Sequence, residues 1–238
     1  MNNNQTNNEL FSLVLPCFNP PVNWEKIVVS SVKSITEKTG IVPQLILVND
    51  GSVKNTEVDK IEFIKNNLPD FKYIHYPINK GKGHALRQGV KAARHNMIIY
   101  TDIDFPYLEK SFLSVYKKLS EGFDVVPGHR GKEYYSKTPF LRKLISKFLR
   151  WTLKTFLRLP TDDSQCGIKG FNKNGATVFL ETKIDRFLFD LEFIKLASKR
   201  KLKFSLAEVE LKPDVVFSKV NMRILMRESI NFLKVIWR

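Results

Sequence analysis

The sequence predicts an α/β protein whose core is a mostly parallel sheet flanked by helices. Between residues 10 and 127, short apolar runs alternate with segments of helical character, which is the pattern of successive β-α-β units. Hydrophobic residues make up 43% of the 238-residue chain, enough to bury a sizeable core. Polar turns follow four of the apolar runs, and in a parallel sheet the turns after strand C-termini gather on one rim.

The alternation gives five strands and four helices. The predicted strands are short apolar runs at 10–16, 44–49, 71–76, 96–101 and 124–127. The intervening segments at 24–37, 57–67, 82–94 and 108–120 are predicted to be helices. In the third helix the apolar side chains, which include Ala85, Leu86 and Val90, share one face.

The chain is strongly basic, with a formal net charge of +15. Such a charge favours nucleic acid, anionic lipid or phosphorylated substrates, and by itself does not choose among them.

The two cysteines, Cys17 and Cys166, lie far apart, which argues against a disulfide framework and fits a reducing compartment. No signal peptide and no apolar run of about 18 residues is visible, so we expect no transmembrane helix. We expect polar residues 1–9 to be disordered and residues 10–238 to form a single domain.

The most informative segment is the apolar run that ends in Asp102-Ile103-Asp104. If the run continues as a strand through these residues, both carboxylates leave its C-terminal end on one face. Two such oxygen donors suit a hard divalent cation, Mg²⁺ or Mn²⁺, which also takes oxygens from substrate phosphates. The alternative is an ordinary pair of acids in a turn, because D-x-D by itself is common.

Another polar turn, Asn79-Lys80-Gly81-Lys82-Gly83, opens the third helix. Free N–H groups at a helix start attract anions, so this turn and its lysines are candidates to hold phosphate. The alternative for Lys82 is an ordinary solvated lysine. The turn is neither a Walker A loop nor a G-x-G-x-x-G fingerprint.

Two basic segments occupy the second half, at 140–159 and 220–238. Leu, Ile, Phe and Trp recur in each at helical spacing, Lys and Arg fill the remaining positions, and no acid interrupts the first. Each basic segment is either a surface helix packed on the core or an amphipathic helix that binds an anionic membrane surface.

These residues together resemble the family 2 inverting glycosyltransferases, which have the GT-A fold. The resemblance runs from about residue 10 through nearly the whole chain and rests on Asn49-Asp50-Gly51-Ser52, the N-K-G-K-G turn, the D-x-D pair, Gly128-His129-Arg130 and segment 163–171. That last segment, D-S-Q-C-G-I-K-G-F, is uncommon and most similar to the dolichyl-phosphate glucosyltransferase group, beside the dolichyl- and polyprenyl-phosphate mannosyltransferases.

The resemblance implies roles on the donor side of the site. Pro16, Phe18 and Asp50 line the nucleoside pocket, and Asp50 reaches the base or ribose. Lys82 lies in the turn on the phosphate side. The D-x-D pair holds the metal, Mg²⁺ or Mn²⁺, on the diphosphate, and Asp104 is counted among the catalytic residues.

The resemblance also implies roles near the sugar and the acceptor. Asp163 and Gln165 lie near the sugar, and Arg130 and Lys219 neutralise phosphate charge.

Arg142 and Ser146, four residues apart on one helical face, match positions that face the acceptor phosphate in the lipid-phosphate enzymes. Asp190 and Glu192, in the matching segment 187–192, are interpreted as surface acids at a helix start rather than as catalytic groups.

The function that these features indicate is transfer of a hexose from a nucleotide sugar to a polyprenyl or dolichyl phosphate. UDP-glucose is favoured as donor and GDP-mannose is the alternative. A lipid phosphate is already anionic and needs positioning rather than a general base. We expect a cytoplasmic protein, peripheral on the cytoplasmic face of a membrane. The alternatives are a family 2 enzyme with a hydroxyl acceptor, a silent nucleotide-sugar binder and a nucleic-acid-binding protein. The strand-end acids argue against the last, so no nucleic-acid partner is expected.

Overall fold

A seven-stranded mixed sheet forms the centre of the structure, a computed structural model that describes residues 10–131, 159–213 and 215. The strand order across the sheet is β3-β2-β1-β4-β6-β5-β7. The strands are β1 Phe11–Cys17, β2 Gln44–Asp50, β3 Phe71–Tyr76, β4 Met97–Tyr100, β5 Val125–Arg130, β6 Lys169–Phe171 and β7 Ala207–Val209. The predicted fold class is confirmed.

Four neighbouring strands, β3, β2, β1 and β4, run parallel, with β1 in the middle of this group. Leu13 in β1 is level with Leu45 on one side and Ile99 on the other. Strand β6 is antiparallel to both β4 and β5, and β7 pairs parallel with β5 at the edge. The sequence predicted these four strands and β5, and the C-terminal ends of the parallel group form the rim on which the polar turns lie.

Helices cover both faces of the sheet. They are α1 Trp24–Thr39, α2 Val58–Asn67, α3 Lys82–Ala92, α4 Glu109–Ser120, α5 Lys173–Leu180 and α6 Phe189–Lys199. Side chains alternate along each central strand, so Leu13 and Leu15 pack with α1, α2 and α4 while Val14 packs with α3, α5 and α6. Both faces of β1 and β2 are therefore buried, which explains why these strands read as continuous apolar runs.

The predicted bounds differ from the observed ones by a few residues at most. Strand β4 ends at Tyr100, before the D-x-D pair, and β5 continues to Arg130. The N-terminal segment and nearly all of both basic segments lie outside the described residues. None of the helices in the described part of the chain is long and apolar enough to cross a bilayer.

Candidate active site

The turns after β1 and β2 are joined by hydrogen bonds at the rim. The backbone N–H of Asn19 donates to Ser52 Oγ at 2.9 Å, and the Val53 N–H donates to Asn19 Oδ1 at 2.9 Å. Asn19 lies in the left-handed region with φ 47°, a conformation that asparagine tolerates better than most residues. Pro16 is partly buried at the end of β1, whereas the ring of Phe18 is half exposed. An exposed aromatic ring beside a fixed turn is available to stack on a planar ligand.

Asp50 organises the turn that opens α3. Its carboxylate is buried and accepts three hydrogen bonds, from the Lys80 N–H, the Gly81 N–H and Asn79 Nδ2, each at 2.8 Å. These bonds explain why the carboxylate is tolerated in the interior. The turn thus depends on a residue 30 positions earlier in the chain.

The expectation that free N–H groups of this turn hold phosphate is wrong for three of them and for the N–H of His84, which follows the turn. The N–H groups of Lys80 and Gly81 donate to Asp50. Those of Gly83 and His84 donate to the backbone oxygen of Asp185, at 2.7 and 3.3 Å. Any phosphate bound here depends on the lysine side chain rather than on these backbone groups.

Lys82, the first residue of α3, is ion-paired with the D-x-D turn. Its Nζ lies 2.5 Å from Asp102 Oδ1, and its side chain is 22% exposed. Burial alone would lower the pKa of Lys82, but the charges of Asp102 and Asp190 outweigh it and raise that pKa. The alternative of an ordinary solvated lysine is therefore wrong, because Lys82 is largely buried and ion-paired.

The two acids of the D-x-D pair lie in a turn rather than on a strand, so the expected strand alternation does not orient them. The Phe105 N–H donates to the Asp102 backbone oxygen at 3.0 Å, and Phe105 itself has φ 45°. Asp104 is exposed and Asp102 partly so. Desolvation at the rim and then the charge of Asp102 raise the pKa of Asp104. The two acids therefore lie in one turn and interact electrostatically.

These residues fit a bound Mg²⁺ or Mn²⁺ whose coordination is completed by substrate. Oxygen donors from two carboxylates are the chemistry that both ions prefer. In the ranges that the structure describes, no group of three or more His, Cys, Asp or Glu side chains converges as a metal site. Two carboxylates alone hold such an ion weakly, so phosphate oxygens of a donor would supply the remaining ligands.

The D-S-Q-C-G-I-K-G-F segment packs directly on the D-x-D turn. The α-carbon of Gly167 faces Asp102 so closely that an added Cβ would lie 2.3 Å from Asp102 Oδ2. The Tyr107 hydroxyl accepts the Gly167 N–H at 2.9 Å and fixes this approach. Gln165 is exposed on the same segment, which keeps it available to a ligand. This contact joins the most distinctive segment of the sequence to the candidate metal ligands.

Arg130 and Asp163 form a buried, two-pronged ion pair. Arg130 Nε donates to Asp163 Oδ2 at 2.9 Å, a second guanidinium nitrogen lies 2.5 Å from Oδ1, and the Arg130 backbone N–H also donates to Oδ2 at 2.8 Å. Burial would raise the pKa of Asp163, but the hydrogen bonds and charge of Arg130 hold it below its usual range. Asp163 is therefore placed to orient Arg130. Its implied contact with the sugar stays a prediction, and one that would compete with these bonds.

The interpretation of Asp190 and Glu192 as surface acids is wrong. Both are buried at the start of α6. Asp190 accepts a hydrogen bond from the Tyr100 hydroxyl, and Lys169 Nζ lies 2.8 Å from its Oδ1. Glu192 accepts the backbone N–H groups of residues 183 and 184, each at 2.8 Å. Charged residues enter a core when they are paired, and the partners of Asp190 come from distant parts of the chain.

Lys169 is a functional candidate that the sequence did not single out by itself. Its side chain is fully buried, donates to the Cys166 backbone oxygen at 2.6 Å and lies 5.7 Å from the centre of the Tyr100 ring. The only signal in the sequence was its place in the D-S-Q-C-G-I-K-G-F segment. The remaining implied acceptor residues, Arg142, Ser146 and Lys219, lie outside the described residues.

Comparison with known proteins gives a consistent result. Residues 12–179 match the model of the family described as glycosyl transferase family 2. The chain is 25% identical over 236 residues to dolichyl-phosphate beta-glucosyltransferase ALG5A of Trichomonas vaginalis, covering 94% of this chain and 72% of the relative. It is 26% identical over 224 residues to dolichyl-phosphate beta-glucosyltransferase of Saccharomyces cerevisiae, and the match covers 85% of this chain and 67% of the relative.

Solved structures show the same fold. Glucosyl-3-phosphoglycerate synthase from Mycobacterium tuberculosis, in complex with Mn²⁺, uridine diphosphate and phosphoglyceric acid, superimposes with a TM-score of 0.65. The sequences are 16% identical, and the match covers 95% of this chain and 77% of the other. The predicted GT-A fold is confirmed.

Proposed function

The chain belongs to glycosyl transferase family 2, and we propose that it transfers glucose from UDP-glucose to a dolichyl or polyprenyl phosphate with inversion at the sugar carbon. The observation that carries the proposal is the contact of Gly167 with Asp102, which joins the D-S-Q-C-G-I-K-G-F segment to the candidate metal ligands. The relatives from Trichomonas vaginalis and Saccharomyces cerevisiae, both dolichyl-phosphate beta-glucosyltransferases, support the sugar and the acceptor.

On the donor side, the chain supplies positioning and charge. Pro16 and Phe18 flank the nucleoside, and Asp50 holds the turn that presents Lys82 to the diphosphate. Asp102 and Asp104 would hold Mg²⁺ or Mn²⁺, which stabilises the negative charge of the departing nucleoside diphosphate. Lys82 adds a positive charge beside the same group.

On the acceptor side, three described carboxylates, those of Glu109, Asp190 and Glu192, are already engaged by other groups of the protein. A hydroxyl acceptor needs a general base with a free carboxylate within hydrogen-bond reach. Glu109 accepts the Ser34 hydroxyl, Asp190 is paired with Lys169, and Glu192 is bonded to backbone N–H groups. An acceptor that is already anionic needs no such base, and this arrangement favours a lipid phosphate over a glycan hydroxyl.

Arg130 is the cation that would face the reacting phosphates, and Asp163 sets its orientation. A guanidinium held at two nitrogens loses little freedom when a phosphate binds, which makes its contribution larger than that of a free side chain. Arg142, Ser146 and Lys219 remain the proposed contacts with the acceptor phosphate. A peripheral position on an anionic membrane, through the two basic segments, would bring such an acceptor within reach.

The test begins with the donor. UDP-glucose, UDP-N-acetylglucosamine and GDP-mannose are compared with Mn²⁺ for protection against thermal unfolding. A ligand at about 100 times its Kd stabilises the folded state by about 2.7 kcal/mol, which corresponds to a rise in Tm of roughly 5–10 °C for a domain of this size. We expect UDP-glucose with Mn²⁺ to give the largest rise, and a clear preference for GDP-mannose would contradict the donor assignment.

Transfer from the radiolabelled donor then decides the acceptor. A polyprenyl phosphate, the same lipid as a free alcohol and a soluble glycan are offered in parallel. We expect product only with the lipid phosphate. Product with the alcohol or the glycan would favour a hydroxyl acceptor, and donor binding without any turnover would favour a silent binder.

A further inference from the structure

We propose that Lys82 is an internal cation that occupies Asp102 until the donor binds, so that the protein takes up its divalent metal together with the nucleotide rather than before it. The idea rests on the proposed function in one respect, since it requires a diphosphate donor at this rim. It gives Lys82 a role beyond contact with phosphate, because the side chain competes with the metal for the same carboxylate oxygen.

The backbone under Lys82 is fixed on both sides. Asp50 binds the N–H groups before it, and the backbone oxygen of Asp185 accepts the Gly83 N–H after it at 2.7 Å. There is also no room for a side chain at the flanking glycines: a Cβ on Gly81 would lie 2.4 Å from the Asp185 oxygen, and one on Gly83 would lie 2.5 Å from the Ile184 oxygen. Only the flexible stem of Lys82 is free to move, and it moves a compact ammonium charge.

The ammonium group of Lys82 lies among carboxylates of different accessibility. It pairs with Oδ1 of Asp102 at 2.5 Å and is attracted by the charges of Asp190 and Asp104. Asp190 is buried and paired with Lys169, so it holds Lys82 nearby without being open to a metal. Asp102 is the partner at the rim, and it is also the candidate metal ligand.

A divalent cation and an ammonium group do not share one carboxylate oxygen without strong repulsion at this separation. A metal that coordinates Asp102 Oδ1 therefore requires Lys82 to leave that oxygen. A donor diphosphate offers the ammonium group a new anion and offers the metal its missing oxygen ligands. Each partner then raises the affinity of the protein for the other by the same factor, because the coupling between two binding equilibria is reciprocal.

The experiment measures Mn²⁺ binding by the loss of the free-ion electron paramagnetic resonance signal, with and without saturating UDP. A titration of Mn²⁺ with UDP alone corrects for their complex in solution. Lys82→Met is compared with wild-type protein and with Lys80→Met. Lys80 is the matched control, because it carries the same charge two residues away while its Nζ lies over the Tyr76 ring at 5.6 Å.

Without UDP, we expect Lys82→Met to bind Mn²⁺ at least about tenfold more tightly than wild-type protein, because the competing cation is gone. The factor by which UDP raises Mn²⁺ affinity should fall correspondingly in this variant. Without UDP, Lys80→Met should keep the wild-type affinity for Mn²⁺. Circular dichroism of each variant confirms that it is folded.

Failure of this inference differs from failure of the proposed function. If wild-type protein shows Mn²⁺ binding that UDP strengthens, but Lys82→Met has wild-type affinity without UDP, the competition is refuted and the donor site stands. Tightening of equal size in Lys80→Met would also refute it, because the effect would then be one of general charge. If wild-type protein binds neither UDP nor Mn²⁺, both the donor site and the inference are overturned.

Discussion

Replacement of Gly167 by alanine tests the contact on which the proposed site depends. The added Cβ would lie 2.3 Å from Asp102 Oδ2, whereas an ordinary contact begins at 3.4 Å. Gly167 is not among the glycines with positive φ, so the backbone accepts alanine and the clash alone decides the outcome. The side chain of Asp102 is at the rim and partly exposed, so we expect it to move away from the added Cβ by about 1 Å. A displacement of about 1 Å near the reacting groups lowers the rate about 100-fold.

We therefore expect Gly167→Ala to lower kcat by about 100-fold and to weaken Mn²⁺ binding, while the free energy of unfolding falls by less than about 1 kcal/mol. Two glycines supply controls. A Cβ on Gly170 would lie 2.5 Å from Leu119 Cδ1 in the core, so Gly170→Ala should lose about 1–3 kcal/mol of stability and keep the kcat of the folded fraction. A Cβ on Gly131 meets nothing within 4 Å, so Gly131→Ala should change neither quantity.

The assay measures transfer of labelled glucose from UDP-glucose to a polyprenyl phosphate at saturating Mn²⁺, beside denaturant unfolding of each variant. The reasoning is refuted if Gly167→Ala keeps wild-type kcat and Mn²⁺ affinity. It is also refuted if the loss of activity follows the loss of folded protein, because the substitution would then act through stability rather than through Asp102.

Three further predictions concern charge. Asp102→Asn and Asp104→Asn should each lower kcat by at least about 100-fold, because a bound metal contributes several kcal/mol at the leaving group; EDTA-sensitive turnover at the wild-type rate in both variants would disprove the metal assignment. Arg130→Met should lower the free energy of unfolding by about 3 kcal/mol at pH 7, because it leaves the buried carboxylate of Asp163 unpaired. Arg130 holds the pKa of Asp163 below its usual range, so the stabilisation by this ion pair is complete above about pH 4 and is lost as the pH falls further. The denaturant midpoints of wild type and variant should therefore converge in acid. Midpoints that stay the same distance apart at every pH would contradict this. Finally, the basic segments should hold the protein on anionic vesicles at low salt and release much of it at high salt. Each Lys or Arg near the anionic surface contributes about 1 kcal/mol of binding free energy, which salt screens. If the protein binds neither anionic nor neutral vesicles at either salt concentration, this support for a lipid acceptor is lost.

The buried acids show where sequence reasoning failed. Asp190 and Glu192 lie at a helix start, where acids are usually solvated and interact well with the helix dipole. Their partners, Tyr100 and Lys169 for Asp190 and a backbone turn for Glu192, come from other elements. Tyr100 is 90 positions away in the chain. No local pattern contains that information, so a paired acid in the core looks the same in the sequence as a solvated one.

The turn at residues 79–83 shows another contact that sequence reasoning could not predict. The sequence placed Asp50 and Lys82 correctly at the rim, because glycine and asparagine after an apolar run mark the end of a strand. It did not show that the Asp50 carboxylate takes up the N–H groups of Lys80 and Gly81, or that Lys82 pairs with Asp102. Each of these contacts joins two turns that follow different strands.

The sequence by itself determined the parallel half of the sheet, the helices between its strands and the rim on which the site lies. It did so because hydrophobic period and turn residues are local, and because parallel strands joined by helices send all their C-terminal ends to one side. Only the tertiary structure decided that β6 lies antiparallel between β4 and β5, and that this pairing brings Gly167 against Asp102. Those contacts join residues up to about 70 positions apart, and their geometry is set by the packing of whole elements rather than by any short stretch of chain.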